Sequence, residues 1–220
     1  MQSQARSGSR SSLRIGLLGG SFDPIHLAHV ALAQCALAKL GLDQVQLLPA
    51  KQPWQKPDLA ASTEQRLAMI KLAIRDIPGL DVNEVELTRP GKTYTIDTLE
   101  ALAPEHQYFW LLGADQLQNF PTWHRWQDVA RRVTLVAAQR PGAKLAIGPE
   151  LADLVNRGQT TVTHLEFEPM DVSSSALRDA LRTQQPTGQW LDPEVASYIQ
   201  EHGLYHAKPS AEPNSAPTLE

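Results

Sequence analysis

Gly19-Gly20-Ser21-Phe22-Asp23-Pro24-Ile25-His26-Leu27-Ala28-His29 is the stretch on which the fold turns. It follows a short apolar run at 13–18, which reads as a buried strand. It leads into a helical pattern with Val30, Ala33, Leu37 and Leu40 on one stripe and Gly41 as its stop. Two glycines at a strand exit let a backbone come close to a ligand, because no Cβ intervenes. The helix that follows offers N–H groups and a positive dipole end, a natural anion site. His26 and His29 are three apart and share one face of a helical turn. From the first turn they would point at whatever those N–H groups bind.

Outward from this stretch the same alternation continues. Further strands are expected at 45–48, closed by Pro49, at 82–87, at 108–112, ending in Gly113, at 133–138 and, more weakly, at 162–167. Ser62 followed by Gln65 fits a capping box. It opens a helix carrying Leu67, Ile70, Ala73, Ile74 and Ile77, with Pro78-Gly79 as its stop. Helices are also expected at 94–102, 173–181 and 193–205. Strand and helix in alternation predict an α/β fold, a single doubly wound Rossmann-like parallel sheet with right-handed crossovers and C-terminal helices. Ligands of such sheets sit beyond the carboxyl ends of the strands. The loops at 19–29, 51–56 and 113–126 are therefore the informative ones.

The chain has 220 residues, 42% hydrophobic and 20% charged, which suits one globular domain with a large core. That domain is expected over 13–206. Residues 1–12 are Ser, Gln and Arg-rich, and 207–220 are rich in Pro, Ala, Ser and Glu, so both ends read as disordered tails. No internal repeat is evident. A single cysteine, Cys35, excludes a disulfide framework and any Cys-based zinc module. The net charge of −4 argues against general nucleic-acid binding, and leaves room for a small anion held by local cations. No run of about 18 apolar residues is present to span a membrane, and 1–12 lack the apolar stretch of an export signal. The cytoplasm is the expected compartment.

Read singly, either histidine is more often a satisfied residue at the core edge, and Gly-Gly a tight turn. The pair beside a Gly-Gly strand exit favours an anion instead. Zinc is a rival use of two imidazoles. However, the i, i+3 spacing is not the usual one and no third ligand is placed by spacing, so no metal ligand is assigned. The loop is neither a Gly-Lys-Ser/Thr phosphate loop nor Gly-x-Gly-x-x-Gly.

The segment resembles the His-x-Gly-His or Thr-x-Gly-His signature of the nucleotidyltransferase superfamily. Its lead-in is similar to the branch containing the bacterial nicotinate mononucleotide adenylyltransferases. Ala28 stands where that family has Gly, and Ser21 where Thr is commoner. Met170-Asp171-Val172-Ser173-Ser174-Ser175-Ala176-Leu177-Arg178 resembles the family's second signature. By itself this is a serine-capped helix, with either a surface arginine or a planar fork suited to phosphate. Phe120-Pro121-Thr122-Trp123 and Lys92-Thr93-Tyr94-Thr95 also resemble family segments, as does Lys56 within 51–57 and the closing Tyr198 to Tyr205.

The resemblance implies adenylyl transfer from ATP to nicotinate mononucleotide, giving deamido-NAD and pyrophosphate, with Mg²⁺ arriving on ATP. It implies His26, His29 and Arg178 as catalytic residues. It implies Gly19, Gly20, Ser21, Phe22, Gly113, Asp115, Ser173 and Ser174 as further ATP contacts. Lys56, Thr95 and Trp123 fall to the mononucleotide, with Trp123 stacked on the pyridine ring, whereas Trp110 and Trp126 fall to the core. The alternatives are transfer to another phosphorylated acceptor, such as nicotinamide mononucleotide or phosphopantetheine, and a nucleotide-binding regulator without turnover.

Overall fold

A computed structural model describes residues 12–53, 59–143 and 146–206. The expected tails fall almost wholly outside these residues, and Lys56 lies outside them too. Six parallel strands form one sheet in the order β3-β2-β1-β4-β5-β6. They are β1 Arg14–Gly20, β2 Gln44–Pro49, β3 Leu80–Val82, β4 Gln107–Gly113, β5 Thr134–Gln139 and β6 Thr161–Glu166. The helices are α1 Leu27–Leu40, α2 Thr63–Ile74, α3 Thr95–Ala101, α4 Ala114–Asn119, α5 Trp126–Arg132, α6 Pro149–Asn156, α7 Ser174–Arg182 and α8 Pro193–Glu201.

Alternation along the central strands feeds two cores. Leu18, Phe109, Leu111 and Val136 face α1, α2, α7 and α8, whose Val30, Met69, Ile70, Leu177 and Ile199 complete that layer. Ile15, Leu17, Trp110, Leu112 and Leu135 face the opposite layer, with Ile96, Leu117, Val129 and Leu151 from α3 to α6. Strands buried on both faces read as continuous apolar runs, which is why β1 and β4 stood out.

The topological reversal lies between β1 and β4. Their pairing ends at Leu17 and Trp110, although β1 continues to Gly20 and β4 to Gly113. Beyond that point β1 stays with β2 as far as Pro49, and β4 stays with β5 as far as Ala138. The sheet therefore splits at the carboxyl ends of its two central strands, where a doubly wound sheet takes its ligand.

Several boundaries differ from the sequence expectation. The strand expected at 82–87 does not form: β3 lies earlier, at Leu80–Val82, and 83–87 are coil and turn. Asn83 Oδ1 accepts from the Val85 N–H at 3.0 Å, and this side-chain turn draws the chain off the sheet. α2 ends at Ile74, short of Ile77. α8 ends at Glu201, where Gly203 and Tyr205 take positive φ of 59° and 64°. The loop expected at 113–126 contains α4 and a 3₁₀ turn at Phe120–Thr122. The Ser62–Gln65 capping box and the left-handed Gly41 stop at φ 59° are as expected.

Candidate active site

The split in the sheet opens a cavity of about 480 Å³. Leu18, Gly19, Gly20 and Ser21 form one lip, and Leu111, Leu112 and Gly113 the other. Two of these glycines have a packing reason. A Cβ on Gly19 would come within 3.0 Å of the Trp110 ring, and one on Gly20 within 3.1 Å of Phe22. A Cβ on Gly113 would meet no protein atom within 4 Å. The first two glycines are thus needed as much by the aromatic rings behind them as by a ligand in front.

His26 and His29 both line the cavity. His26 is the extended residue just before α1, with φ −144°, so it precedes the first turn rather than lying on it. The two imidazoles nevertheless come together, stacked with centroids 3.7 Å apart and planes 26° apart. The His26 N–H donates to His29 Nδ1 at 3.3 Å. That contact makes Nδ1 an acceptor and leaves Nε2 as the ring nitrogen that carries a proton. His26 is 7% exposed, and burial lowers its pKa to about 4. A neutral His26 removes the repulsion that two stacked imidazolium ions would suffer. Its Nδ1 is buried with no hydrogen-bond partner among the described residues.

The backbone of the first turn is less available than the sequence suggests. The Leu27 N–H donates to the Trp190 carbonyl at 2.9 Å, and those of His29 and Val30 turn back to the His26 carbonyl. At this helix start the imidazoles are thus more available to a ligand than these three N–H groups.

A polar network fixes the segment between β1 and α1. Asp23 is 1% exposed and accepts from the Ala60 and Ala61 N–H groups at 2.7 and 3.1 Å. The Tyr205 hydroxyl donates to the same carboxylate at 2.7 Å, and burial beside that carboxylate drives the phenol pKa upward. Arg66, fully buried on α2, donates from Nη1 to the Ser21 carbonyl at 2.6 Å. Ser174 donates to the Pro24 carbonyl at 2.9 Å, and Arg178 from Nη1 to the Asp23 carbonyl at 2.7 Å. These bonds from distant parts of the chain hold Phe22 at φ 46°, a left-handed conformation that a bulky residue rarely adopts. The Phe22 ring packs edge-on to His29 at 5.0 Å.

The opposite wall is built from Thr93, Thr95, Glu86, Gln116, Trp110 and Trp123. Trp123 meets Trp110 edge to face at 6.2 Å and tilts on Phe120 at 5.2 Å. Its Nε1 is buried without a partner among the described residues. Glu86 is 5% exposed, accepts from Thr98 Oγ1 at 2.8 Å, and is pushed by burial up to a pKa of about 7.

Of the residues singled out by sequence, Gly19, Gly20, Ser21, His26, His29, Thr95, Gly113, Trp123, Ser173 and Ser174 share this one cavity. Phe22 lies beneath it as a support for His29, and Asp115 is exposed on α4, where Gln116 lines the wall instead. Arg178 is tied to the Asp23 loop and does not line the wall. Trp110, expected in the core, is buried and also reaches the cavity. Sequence reading missed Glu86 and the tethers Arg66 and Tyr205. The sequence offers little cue to Glu86, since 82–87 read Val-Asn-Glu-Val-Glu-Leu and Glu84 carries the same charge two residues earlier.

Comparison with known proteins agrees with this fold. Residues 17–180 match the family model described as cytidylyltransferase-like. A probable nicotinate-nucleotide adenylyltransferase of Bordetella avium is 54% identical over 192 residues, covering 87% of this chain and 98% of its own. One of the same name from Dehalococcoides mccartyi is 40% identical over 200 residues, covering 89% and 98%. Among solved structures, the nicotinic acid mononucleotide adenylyltransferase of Plasmodium falciparum complexed with NaAD is similar with a TM-score of 0.71. It shares 18% identity and covers 88% of this chain and 97% of that one, a likeness of fold. No described helix is long and apolar enough to cross a membrane.

Proposed function

The chain belongs to the cytidylyltransferase-like family, and from that premise we propose that it transfers the adenylyl group of ATP to nicotinate mononucleotide. The products are deamido-NAD and pyrophosphate. A phosphate oxygen of the mononucleotide forms a bond to the α-phosphorus of ATP. The bond from that phosphorus to the bridging oxygen breaks, and its electron pair leaves on pyrophosphate. Such a displacement needs alignment and charge neutralisation more than covalent help.

The observation that carries this reading is the stacked His26–His29 pair in a cavity whose far wall holds Thr95 and Trp123. The imidazoles donate N–H bonds to phosphate oxygens as charge moves onto the leaving group. Gly19, Gly20 and Ser21 let the nucleotide lie against backbone, while Ser173, Ser174 and the uncommitted N–H groups of Arg178 serve the outer phosphates. Trp123 offers an indole to a flat cationic ring, Thr95 lines the same cavity, and Lys56 supplies a phosphate-binding charge. Mg²⁺ comes with ATP. The ion dehydrates reluctantly, so phosphates and water carry it. A reaction fed by ATP suits the cytoplasm, and neither nucleic acid nor membrane is needed.

A coupled pyrophosphate assay with a panel of phosphorylated acceptors tests the reading. Nicotinate mononucleotide with ATP should release pyrophosphate and form a dinucleotide. Binding of ATP without release for any acceptor would instead make the protein a nucleotide-binding regulator.

A further inference from the structure

We propose that Glu86 is a specificity-determining residue of the acceptor subsite, a buried carboxylate that recognises the positive charge of a pyridinium ring. The proposal deepens the adenylyl-transfer reading and rests on it.

Glu86 is nearly inaccessible, yet it lines the same cavity as Thr95 and Trp123. It is held in place there. Thr98 donates to Oε1, and Thr98 lies three residues beyond Thr95, on the same face of α3. Its position follows from the early end of β3, because the turn at Asn83 carries the chain off the sheet and toward α3. A carboxylate that far from water is expensive unless something offsets its charge. The Thr98 hydroxyl and the electrostatic influence of Arg89 go part of the way. They leave the carboxyl poised between its two forms near neutrality. A cation entering the cavity beside it completes the compensation and is itself stabilised. The chemical class that fits is a flat aromatic cation, since an indole and a buried carboxylate share the wall. An indole face alone attracts such a ring, and the carboxylate makes the preference for its charge stronger.

The test compares two acceptors of nearly equal shape, nicotinate mononucleotide and its reduced dihydropyridine form, whose ring is uncharged. An opposite charge at contact distance shifts the balance of a carboxyl by at least about tenfold. The wild-type protein should therefore favour the cationic ring by about that factor or more in kcat/KM. Glu86→Gln keeps the shape and can still accept from Thr98. It should raise KM for the cationic acceptor, leave KM for ATP alone, and shrink the preference at least fivefold. Glu86→Asp keeps the charge and should retain most of it. An unchanged preference in Glu86→Gln overturns the proposal. So does a wild-type protein that does not distinguish the two rings, a result independent of whether any variant folds. Failure of every acceptor to release pyrophosphate would be a different outcome, striking at the adenylyl-transfer reading itself.

Discussion

The two histidines and Glu86 show how burial assigns chemistry to single residues. His26 and His29 touch the reacting phosphates in the proposed complex, so replacing either by Ala should cut kcat by at least about 10²-fold, roughly 2.7 kcal/mol. Thermal unfolding should stay cooperative in both variants. Near-normal turnover in both would remove the histidines from the reaction. Burial also gives His26 and Glu86 opposite stability signatures. The folded His26 resists protonation below its unfolded value of 6.5, down to about 4. Between those values the unfolded chain binds the extra proton, so this contribution to stability is lost as pH falls through that window. Glu86 runs the other way. Its folded pKa of about 7 lies above the ordinary 4.5, so its contribution is present in acid and lost as pH rises through 7. Glu86→Gln should therefore gain stability relative to wild type between pH 5 and pH 8. Urea unfolding at a series of pH values reads this directly, and a parallel pair of curves would contradict it.

At the scale of elements, the site depends on how α2, α7 and the chain after α8 grip the segment between β1 and α1. Tyr205→Phe removes the donor to Asp23 while the Ala60 and Ala61 N–H groups remain. It should cost about 1 kcal/mol of stability, with a fall in kcat larger than any change in KM, because the histidines lose part of their support. Arg178 joins this network through the Asp23 carbonyl and reaches Ser175 only at 3.4 Å. Its remaining N–H groups can meet phosphate. Arg178→Lys keeps a charge but loses the planar fork, and it should raise KM for ATP more than KM for the acceptor. An unaltered ATP dependence would leave Arg178 a tether alone. These contacts were not legible in the sequence, because Asp23, Arg66 and Tyr205 lie far apart along the chain. The long apolar strands and the capped helices were legible, since each carries its signal locally. The short helices α4, α5 and α6 were not, as six to eight residues give too few turns for a helical period. Glu86 was hidden for a related reason: an Asn83 side chain, not an apolar pattern, ends the strand before it.

Over the whole molecule, the sheet divides the labour. The β1–α1 junction and the start of α7 form one side of the crevice, and β4, α3 and the Trp123 segment form the other. A reaction joining two nucleotides can then hold each against a different half. Acceptor choice should follow the second half alone. Nicotinate and nicotinamide mononucleotide differ only by carboxylate against amide on the ring. Trp123 adds to that side a buried Nε1–H without a partner among the described residues. A donor favours an acceptor-only carboxylate, whereas an amide presents its own NH₂ to at least one donor. An unpaired donor in a dry pocket costs on the order of 1–3 kcal/mol, about 5- to 150-fold. The wild-type protein should thus prefer the acid by such a factor in kcat/KM. Stacking ignores the substituent, so Trp123→Ala should weaken both acceptors. If backbone N–H groups of the 113–123 segment read the carboxylate, the ratio survives that change. If the indole N–H reads it, the ratio collapses in Trp123→Ala and also in Trp123→Phe, which keeps an aromatic face. A wild-type ratio near one, or favouring the amide, would overturn the choice of nicotinate while leaving adenylyl transfer in place.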